Sequence, residues 1–458
     1  MKKHIFSPDI LRASDIRGIF GQDLNPDDAY AIGRAFATIA KPENNVIAVG
    51  RDGRLSSPEL AKSLIEGIVD TGVDVIDIGV CPTPMLYFSC YETDAKSGIM
   101  VTGSHNPSEY NGFKFVFNQG AFFGDSIKKI GKIAEDASYA EGQGRVNTLD
   151  ISNKYVSKIV DEFIDIDNLK IVWDTGNGSC GDIVAKITEQ SKTQNIIINQ
   201  EIDGLFPNHH PDPTIPKNLE QLIAKVQESD ADIGLGFDGD GDRIGVVLKN
   251  GQILWGDQFM IFLARDVLKT HKGAPIIADV KASNRFFEEV KKLGGSPLMW
   301  KTGHSFIKAK MVETKAPLAG EMSGHIFFAD RYYGFDDALY TAARLIKYIG
   351  NSSKTLEELA KELPIVYNTP EIRIDCPENL KEVVLAKIKK ELEEKGAKID
   401  FTDGLRVSLK DGWWLLRRSN TQPIMVARCE GENKDALDLI KNELASYVAN
   451  AGLVFPKI

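Results

Sequence analysis

Apolar residues along the first ~150 positions recur in two alternating rhythms, one helical and one extended. Asn25-Pro26 and Ser57-Pro58 each set a capping residue before a proline suited to a first helical turn, and amphipathic runs follow through Ile39 and Val69. Strand-like stretches at 46–49, 73–78 and 98–101 lie between and after them, and a further helix is expected over 126–137. Helices alternating with strands predict an α/β layer with a largely parallel sheet.

The rhythm repeats after the polar stretch 139–144, with a strand at 170–173, a glycine-rich turn, a helix and a strand at 195–199. A hairpin over 246–254, turned at Asn250-Gly251, closes this second unit. A third opens near Trp255 with a helix to Lys269, continues through a strand at 275–280 and a helix at 284–293, and reaches a glycine-bearing loop at Gly320. From about Thr369 the pattern changes. Charged helices over 378–395 and 434–450 flank strands turned at Asp403-Gly404 and Asp411-Gly412, an α+β arrangement with a mainly antiparallel sheet. The expected fold is three α/β domains with mixed sheets (1–148, 149–253, 254–366) and a C-terminal α+β domain (367–458).

A chain of 458 residues has room for three or four such units at about 100–150 residues each. A net charge of -10 argues against a general nucleic-acid or membrane-surface binder, so an anionic substrate would need a local basic pocket. Cys81, Cys90, Cys180, Cys376 and Cys429 form an odd, scattered set without a C-x-x-C pair, which favours reduced thiols in the cytoplasm. The N-terminus lacks the apolar segment of a signal peptide, and no run approaches the ~20 apolar residues of a membrane span.

One loop dominates the chemistry: Asp238-Gly239-Asp240-Gly241-Asp242-Arg243, between the apolar runs 231–237 and 244–248. Carboxylates at every second position project to one side of an extended backbone, and the glycines let the loop curl until they converge. Three crowded anions call for a cation, and oxygen-only ligands suit a hard ion such as Mg²⁺ or Ca²⁺. An EF-hand beginning at Asp238 would need glycine and glutamate where Arg243 and Lys249 stand. Mg²⁺ completed by water or a phosphate oxygen fits better.

A second loop, Thr102-Gly103-Ser104-His105-Asn106-Pro107, follows a strand, at the end of a sheet where α/β proteins keep their sites. Asn106 breaks the esterase pattern G-x-S-x-G. His105 is expected to face away from its neighbour Ser104, as adjacent side chains do on an extended loop. A phosphorylated Ser104 could instead complete the metal's shell. Glu321 and Ser323, in Gly320-Glu321-Met322-Ser323-Gly324-His325, could hold adjacent sugar hydroxyls. Arg417-Arg418-Ser419-Asn420-Thr421-Gln422-Pro423 offers donors for a phosphate. Further basic candidates are Arg17, Lys114, Arg243, Lys281 and His304.

Two matches to G-x-G-x-x-G compete with this reading. The one at 234–239 precedes a strand and offers no helix N-terminus. The one at 176–181 follows a strand, opens a helix and has Glu201 where a ribose-binding acid belongs, so taken alone it points to an NAD-dependent dehydrogenase. It leaves the aspartate and serine loops without a role.

Together the four loops, in this order, resemble the α-D-phosphohexomutase superfamily and its bacterial phosphomannomutase/phosphoglucomutase group. Gly50-Arg51-Asp52-Gly53-Arg54, Phe206-Pro207-Asn208-His209-His210-Pro211 and Lys301-Thr302-Gly303-His304 extend the resemblance over nearly the whole chain. It implies four domains around a central cleft, each giving one loop. Ser104 would be the phosphoserine, with Asp238, Asp240 and Asp242 as Mg²⁺ ligands beside its phosphate. Glu321 and Ser323 would hold the sugar, and Arg417, Ser419, Asn420 and Thr421 the non-reacting phosphate. Arg17, Lys114, Arg243, Lys281, His304 and His325 would line the site. Two positions depart from the pattern: Ser14 precedes Asp15-Ile16-Arg17 where relatives often carry an aromatic, and Arg418 stands where a smaller residue is common.

The implied reaction is a reversible shift of phosphate between hexose 1-phosphate and hexose 6-phosphate, of mannose or glucose, through a bisphosphorylated sugar that also serves as activator. Lys114 and His325 are both candidates for the general base. The fourth domain is expected to close over the sugar phosphate and exclude water. A monomer acting on small sugar phosphates, without nucleic acid or membrane, is expected. A phosphoglucosamine-type mutase and a non-catalytic sugar-phosphate sensor are the remaining alternatives.

Overall fold

The structure is a computed structural model that describes residues 2–41, 45–419 and 423–456. Four sheets succeed one another along the chain. The first has seven strands in the order Ile16–Ile19, Tyr110–Phe117, Ser97–Val101, Val46–Arg51, Asp74–Val80, Val146–Thr148, with Gly120–Ala121 beside Tyr110–Phe117. Its centre is parallel, but Tyr110–Phe117 runs antiparallel to both neighbours, so the sheet is mixed. The second has Lys170–Asp174 parallel to Gln194–Ile198 and Ile233–Phe237, and the third has Pro275–Asp279 parallel to Ser296–Trp300 and Leu318–Gly320. Each gains an antiparallel strand, Ile244–Leu248 and Ile326–Phe328 respectively. The six strands of the last sheet pair antiparallel throughout.

Local signals in the sequence account for most of these elements. The helix Pro26–Ala40 starts where Asn25 donates its backbone N–H to Asp28 Oδ2 at 2.7 Å. Ser57–Val69 starts one residue earlier than the Ser57-Pro58 signal implied, with Ser56 preceding it. Several elements escaped the pattern, the helices Ser152–Val160, Glu220–Ser229, His304–Thr314 and Ala338–Gly350 among them, and two more bear directly on the site. Tyr110–Phe117 is a central strand buried on both faces, so it shows no alternation. Thr83–Glu92 is a helix with eight buried residues and no polar face.

The burial of Thr83–Glu92 on all sides has a tertiary cause. Phe88 packs against Tyr155 of the second unit and Tyr333 of the third, and Tyr87 against Phe335. The helix is thus a hub on which the first three units share one apolar core. The last unit has a core of its own around Trp414, Met425 and Leu444. It docks on the third through two buried arginines. Arg406 donates to Ala282 O at 3.1 Å and Asn284 Oδ1 at 2.8 Å, while Arg428 Nη1 lies 3.1 Å from Asp257 Oδ2. Among the described residues no helix is long and apolar enough to cross a membrane, and all five cysteines are buried and free.

Candidate active site

The loops picked out from the sequence meet in one cleft lined from all four units. Arg17, Ser104, Lys114, Arg243, Lys281, His304, Glu321, Ser323, His325, Arg417 and Ser419 all face it. Asn420 and Thr421 lie outside the described residues.

Ser104 sits at the end of strand Ser97–Val101 in a left-handed conformation, φ 51°, which costs a non-glycine residue roughly 1–2 kcal/mol. Arg54 holds the loop in that shape, its guanidinium donating to Ser104 O at 2.8 Å, Asn106 O at 2.6 Å and Tyr110 O at 3.0 Å. Arg17 adds a bond to Gly103 O at 2.8 Å. The left-handed turn corrects one expectation. His105 does not face away, and its Nδ1 lies 3.2 Å from Ser104 Oγ. Burial, with Arg243 and Arg17 nearby, pushes the His105 imidazole well below its usual range.

Across the cleft floor Ser104 Oγ donates to Asp238 Oδ2 at 3.2 Å, from 134 residues away in sequence. Asp238, Asp240 and Asp242 are fully buried and each places a carboxylate oxygen within 4.8 Å of the others. Burial and the charges of Asp242 and Asp240 raise Asp238 well above the ordinary carboxylate range. Asp240 Oδ1 and Asp242 Oδ1 are buried with no hydrogen-bond partner among the described residues. Converging hard oxygens, two of them unsatisfied, fit a divalent cation. Thr83 anchors this loop by donating its backbone N–H to Asp240 O at 2.7 Å and its hydroxyl to Asp240 Oδ2 at 2.5 Å. The competing glycine motif at 176–181 serves the same loop: Ser179 donates its N–H to Gly239 O at 3.0 Å, and a Cβ on Gly178 would meet the Gly239 backbone at 2.8 Å. That turn is packed against the aspartate loop where a pyrophosphate would have to sit.

Lys114 and His325 differ in the way a general base must. Lys114 Nζ donates to Asp240 Oδ2 at 2.7 Å and to Asp242 Oδ2. Burial pushes its pKa down, but Asp240, Asp242 and Asp238 outweigh that and hold it above the usual lysine range. It stays charged. His325 Nε2 accepts from Arg243 Nε at 2.9 Å, while its Nδ1 lies 3.0 Å from Asp336 Oδ2. An acceptor at Nε2 leaves the ring proton on Nδ1, facing the buried carboxylate.

On the wall given by the third unit, Glu321 Oε1 accepts from the Gly303 N–H at 2.8 Å and Oε2 from Ser323 Oγ at 3.1 Å. His304 lies 3.1 Å from Lys308 Nζ, and burial with that ammonium lowers its pKa well below normal. On the fourth unit Arg417 Nε donates to Asp403 Oδ2 at 2.8 Å. Lys281 Nζ bonds Glu371 Oε2 at 3.1 Å. Burial would raise Glu371, but Lys281 and Arg373 outweigh it and hold the carboxyl at about 2.

Five side chains at or beside the cleft were not singled out from the sequence. Asp15 and Asp336 orient Arg17 and His325, Lys308 pairs with Asp336 at 3.0 Å, and Glu371 and Arg373 come from strand Ile372–Asp375 and the residue before it. Arg54 could have been found from Gly50-Arg51-Asp52-Gly53-Arg54, since a buried arginine beside a loop of bare carbonyls is a loop clamp.

Four α/β-type units around one cleft, with a serine from the first facing a cation-ready aspartate loop from the second, define the class. Sequence models of the phosphoglucomutase/phosphomannomutase domains match in order: alpha/beta/alpha domain I over residues 8–141, domain II over 153–251, domain III over 255–367 and the C-terminal domain over 371–446. The chain belongs to this family. It is 44% identical over 434 residues to the phosphomannomutase/phosphoglucomutase of Pseudomonas aeruginosa, covering 94% of each, and 43% identical over 454 residues to the phosphoglucomutase of Neisseria gonorrhoeae, covering 98% of each. A crystal structure of a family protein from Burkholderia thailandensis superposes with a TM-score of 0.92 at 42% identity, over 99% of this chain and 100% of that one.

Proposed function

We propose that the chain is a reversible phosphomutase interconverting the 1- and 6-phosphates of glucose and mannose, with phosphoserine at Ser104 and a hexose bisphosphate as intermediate and activator. The observation that carries this reading is the contact between Ser104 Oγ and the Asp238 carboxylate. Each of the four units gives one loop, and we divide them after residues 148, 253 and 366.

Asp238, Asp240 and Asp242, with a phosphate oxygen on Ser104, would hold Mg²⁺. Bound there, a divalent cation neutralises charge on the transferring phosphoryl group. The free sugar hydroxyl attacks phosphorus while the Ser104 Oγ–P bond breaks, and the hydroxyl proton passes to His325 Nε2. Arg243 Nε donates to that nitrogen at 2.9 Å, and a sugar phosphate competing for the guanidinium frees the lone pair. Arg17 and the charged Lys114 stabilise the phosphoryl oxygens. The bisphosphate then turns in the cleft, and Ser104 Oγ takes back the other phosphate. Glu321 and Ser323 hold ring hydroxyls, Lys281 and His304 line the sugar's path, and Arg417, Ser419, Asn420 and Thr421 grip the phosphate that is not reacting.

All four loops come from one chain, which supports a monomer as the working unit, and free cysteines support a reducing cytoplasm. A coupled assay with glucose 1-phosphate, Mg²⁺ and bisphosphate primer tests the reading. Turnover is expected, and tight binding of sugar phosphate without turnover would make the chain a sensor instead.

A further inference from the structure

A second cavity, of about 550 Å³, opens between the first and third units and shares no lining residue with the catalytic cleft. Aromatic rings form much of its wall: Tyr87 and Tyr91 from helix Thr83–Glu92, Tyr333 and Phe335 from the third unit. Tyr91 and Tyr333 lie 4.7 Å apart at a tilt, and Tyr87 meets Phe335 edge to face at 5.5 Å. A cavity of this size and lining takes a small organic molecule.

Charge narrows the class of molecule. Among the described residues Lys308 and Lys315 line the cavity and no acidic side chain does, in a chain whose net charge is -10. Lys315 is exposed and has no ion pair among the described residues. Tyr87 is 1% exposed, and its hydroxyl has no hydrogen-bond partner among the described residues. Burial, with Asp336 and Asp242 nearby, raises that phenol well above its usual range, so it keeps its proton. Aromatic walls with two ammonium groups and a spare phenolic donor suit a flat apolar body that carries one negative charge.

Lys308 ties this cavity to the reacting centre. Its Nζ stands 4.3 Å from the centre of the Tyr87 ring and 3.0 Å from Asp336 Oδ1, and the other Asp336 oxygen lies 3.0 Å from His325 Nδ1. The helix that supplies Tyr87 also holds the aspartate loop, through Thr83. We propose that the cavity is a second ligand site, for a small aromatic carboxylate, and that its occupancy slows turnover without displacing the sugar phosphate. The ligand's carboxylate draws Lys308 from Asp336 and unsettles the group that orients His325. Binding does not depend on the mutase reading; only the effect on turnover rests on it.

Isothermal titration of 2-naphthoate into the full chain is expected to show one site with a Kd on the order of 100 μM. 2-Naphthylmethanol keeps the rings without the charge and should bind about tenfold more weakly. Val312 lines the cavity and is 80% exposed, so Val312→Glu leaves the fold undisturbed while setting an acid against the ligand. It should weaken naphthoate about tenfold. With glucose 1-phosphate varied, saturating naphthoate should lower kcat about threefold or more at unchanged KM. Val312→Glu without naphthoate should turn over as the unaltered chain does, which reports its folding. No binding, equal affinity in Val312→Glu, an unchanged kcat, or a rise in KM alone, the mark of binding in the catalytic cleft, would overturn the proposal. If no sugar phosphate turns over, the mutase reading falls and the titrations still decide the site.

Discussion

Ser104 Oγ lies 3.2 Å from Asp238 Oδ2, and the two residues, 134 positions apart, sit in loops that follow strands of different sheets. The contact joins the proposed nucleophile to the only described cluster made wholly of carboxylates. Ser104→Ala removes the phosphoryl acceptor and leaves the aspartate loop in place. The expected loss in kcat is about 1000-fold or more, read in steady-state assays primed with bisphosphate. Chelation by EDTA should give a comparable loss that Mg²⁺ reverses.

The same contact depends on a missing side chain. A Cβ on Gly239 would stand 2.6 Å from Ser104 O, which is backbone and cannot step aside cheaply. Gly239→Ala should therefore push the serine and aspartate loops apart. We expect a destabilisation of about 1–3 kcal/mol by denaturant melts and a kcat loss out of proportion to it.

Asp336 and Lys114 allow the base assignment to be separated from charge stabilisation. Asp336 is fully buried, 3.0 Å from both His325 Nδ1 and Lys308 Nζ. Burial would raise it, but Lys308 and the neighbouring histidines hold it well below the usual carboxylate range. Asp336→Asn removes the buried negative charge beside His325 Nδ1 without touching phosphate contacts, so kcat should fall about 10–100-fold with KM nearly unchanged. A rise in KM with kcat preserved would count against His325 as base.

How much of this was legible in the sequence follows from where each signal resides. The aspartate loop was readable because alternating Asp and Gly has few purposes, and the serine loop because it ends a strand. The amphipathic helices showed themselves through one buried face. The hub helix Thr83–Glu92 did not, because three units bury it from every side. Asp336 stayed hidden for a related reason. An aspartate just before a helix is an ordinary turn or capping residue until folding sets it between His325 and Lys308. The expectation that His105 points away from Ser104 failed on backbone conformation, since a φ of 51° at a serine has no marker in the residue types around it.

Arg417 belongs to the fourth unit, and its Nε donates to Asp403 Oδ2 at 2.8 Å. Its proposed part is to grip phosphate away from the reacting centre. Arg417→Ala should raise KM about 10–100-fold, the worth of a charged hydrogen bond, and leave kcat within a few-fold. Loss of kcat at saturating substrate would mean that closure of this unit, more than binding, depends on the arginine.

Asp337 offers a pH test of the hub that is independent of catalysis. It caps helix Ala338–Gly350, accepting from the Tyr340 N–H at 2.8 Å, and it also accepts from Tyr332 at 2.7 Å and Tyr155 at 2.9 Å. Burial raises its pKa to about 6, with the Tyr340 N–H and the two hydroxyls only partly offsetting it. The folded value lies above the unfolded one of about 3.9. The stability tied to the protonated form is therefore complete below about pH 4 and is lost as pH rises through about 6. Asp337→Asn cannot ionise. The melting temperature of the unaltered chain, measured relative to Asp337→Asn, should fall between pH 4.5 and 7, by the equivalent of roughly 3 kcal/mol at most. A difference that stays flat, or grows with pH, would show that the carboxyl is already ionised at pH 4.5 and that its three donors outweigh burial.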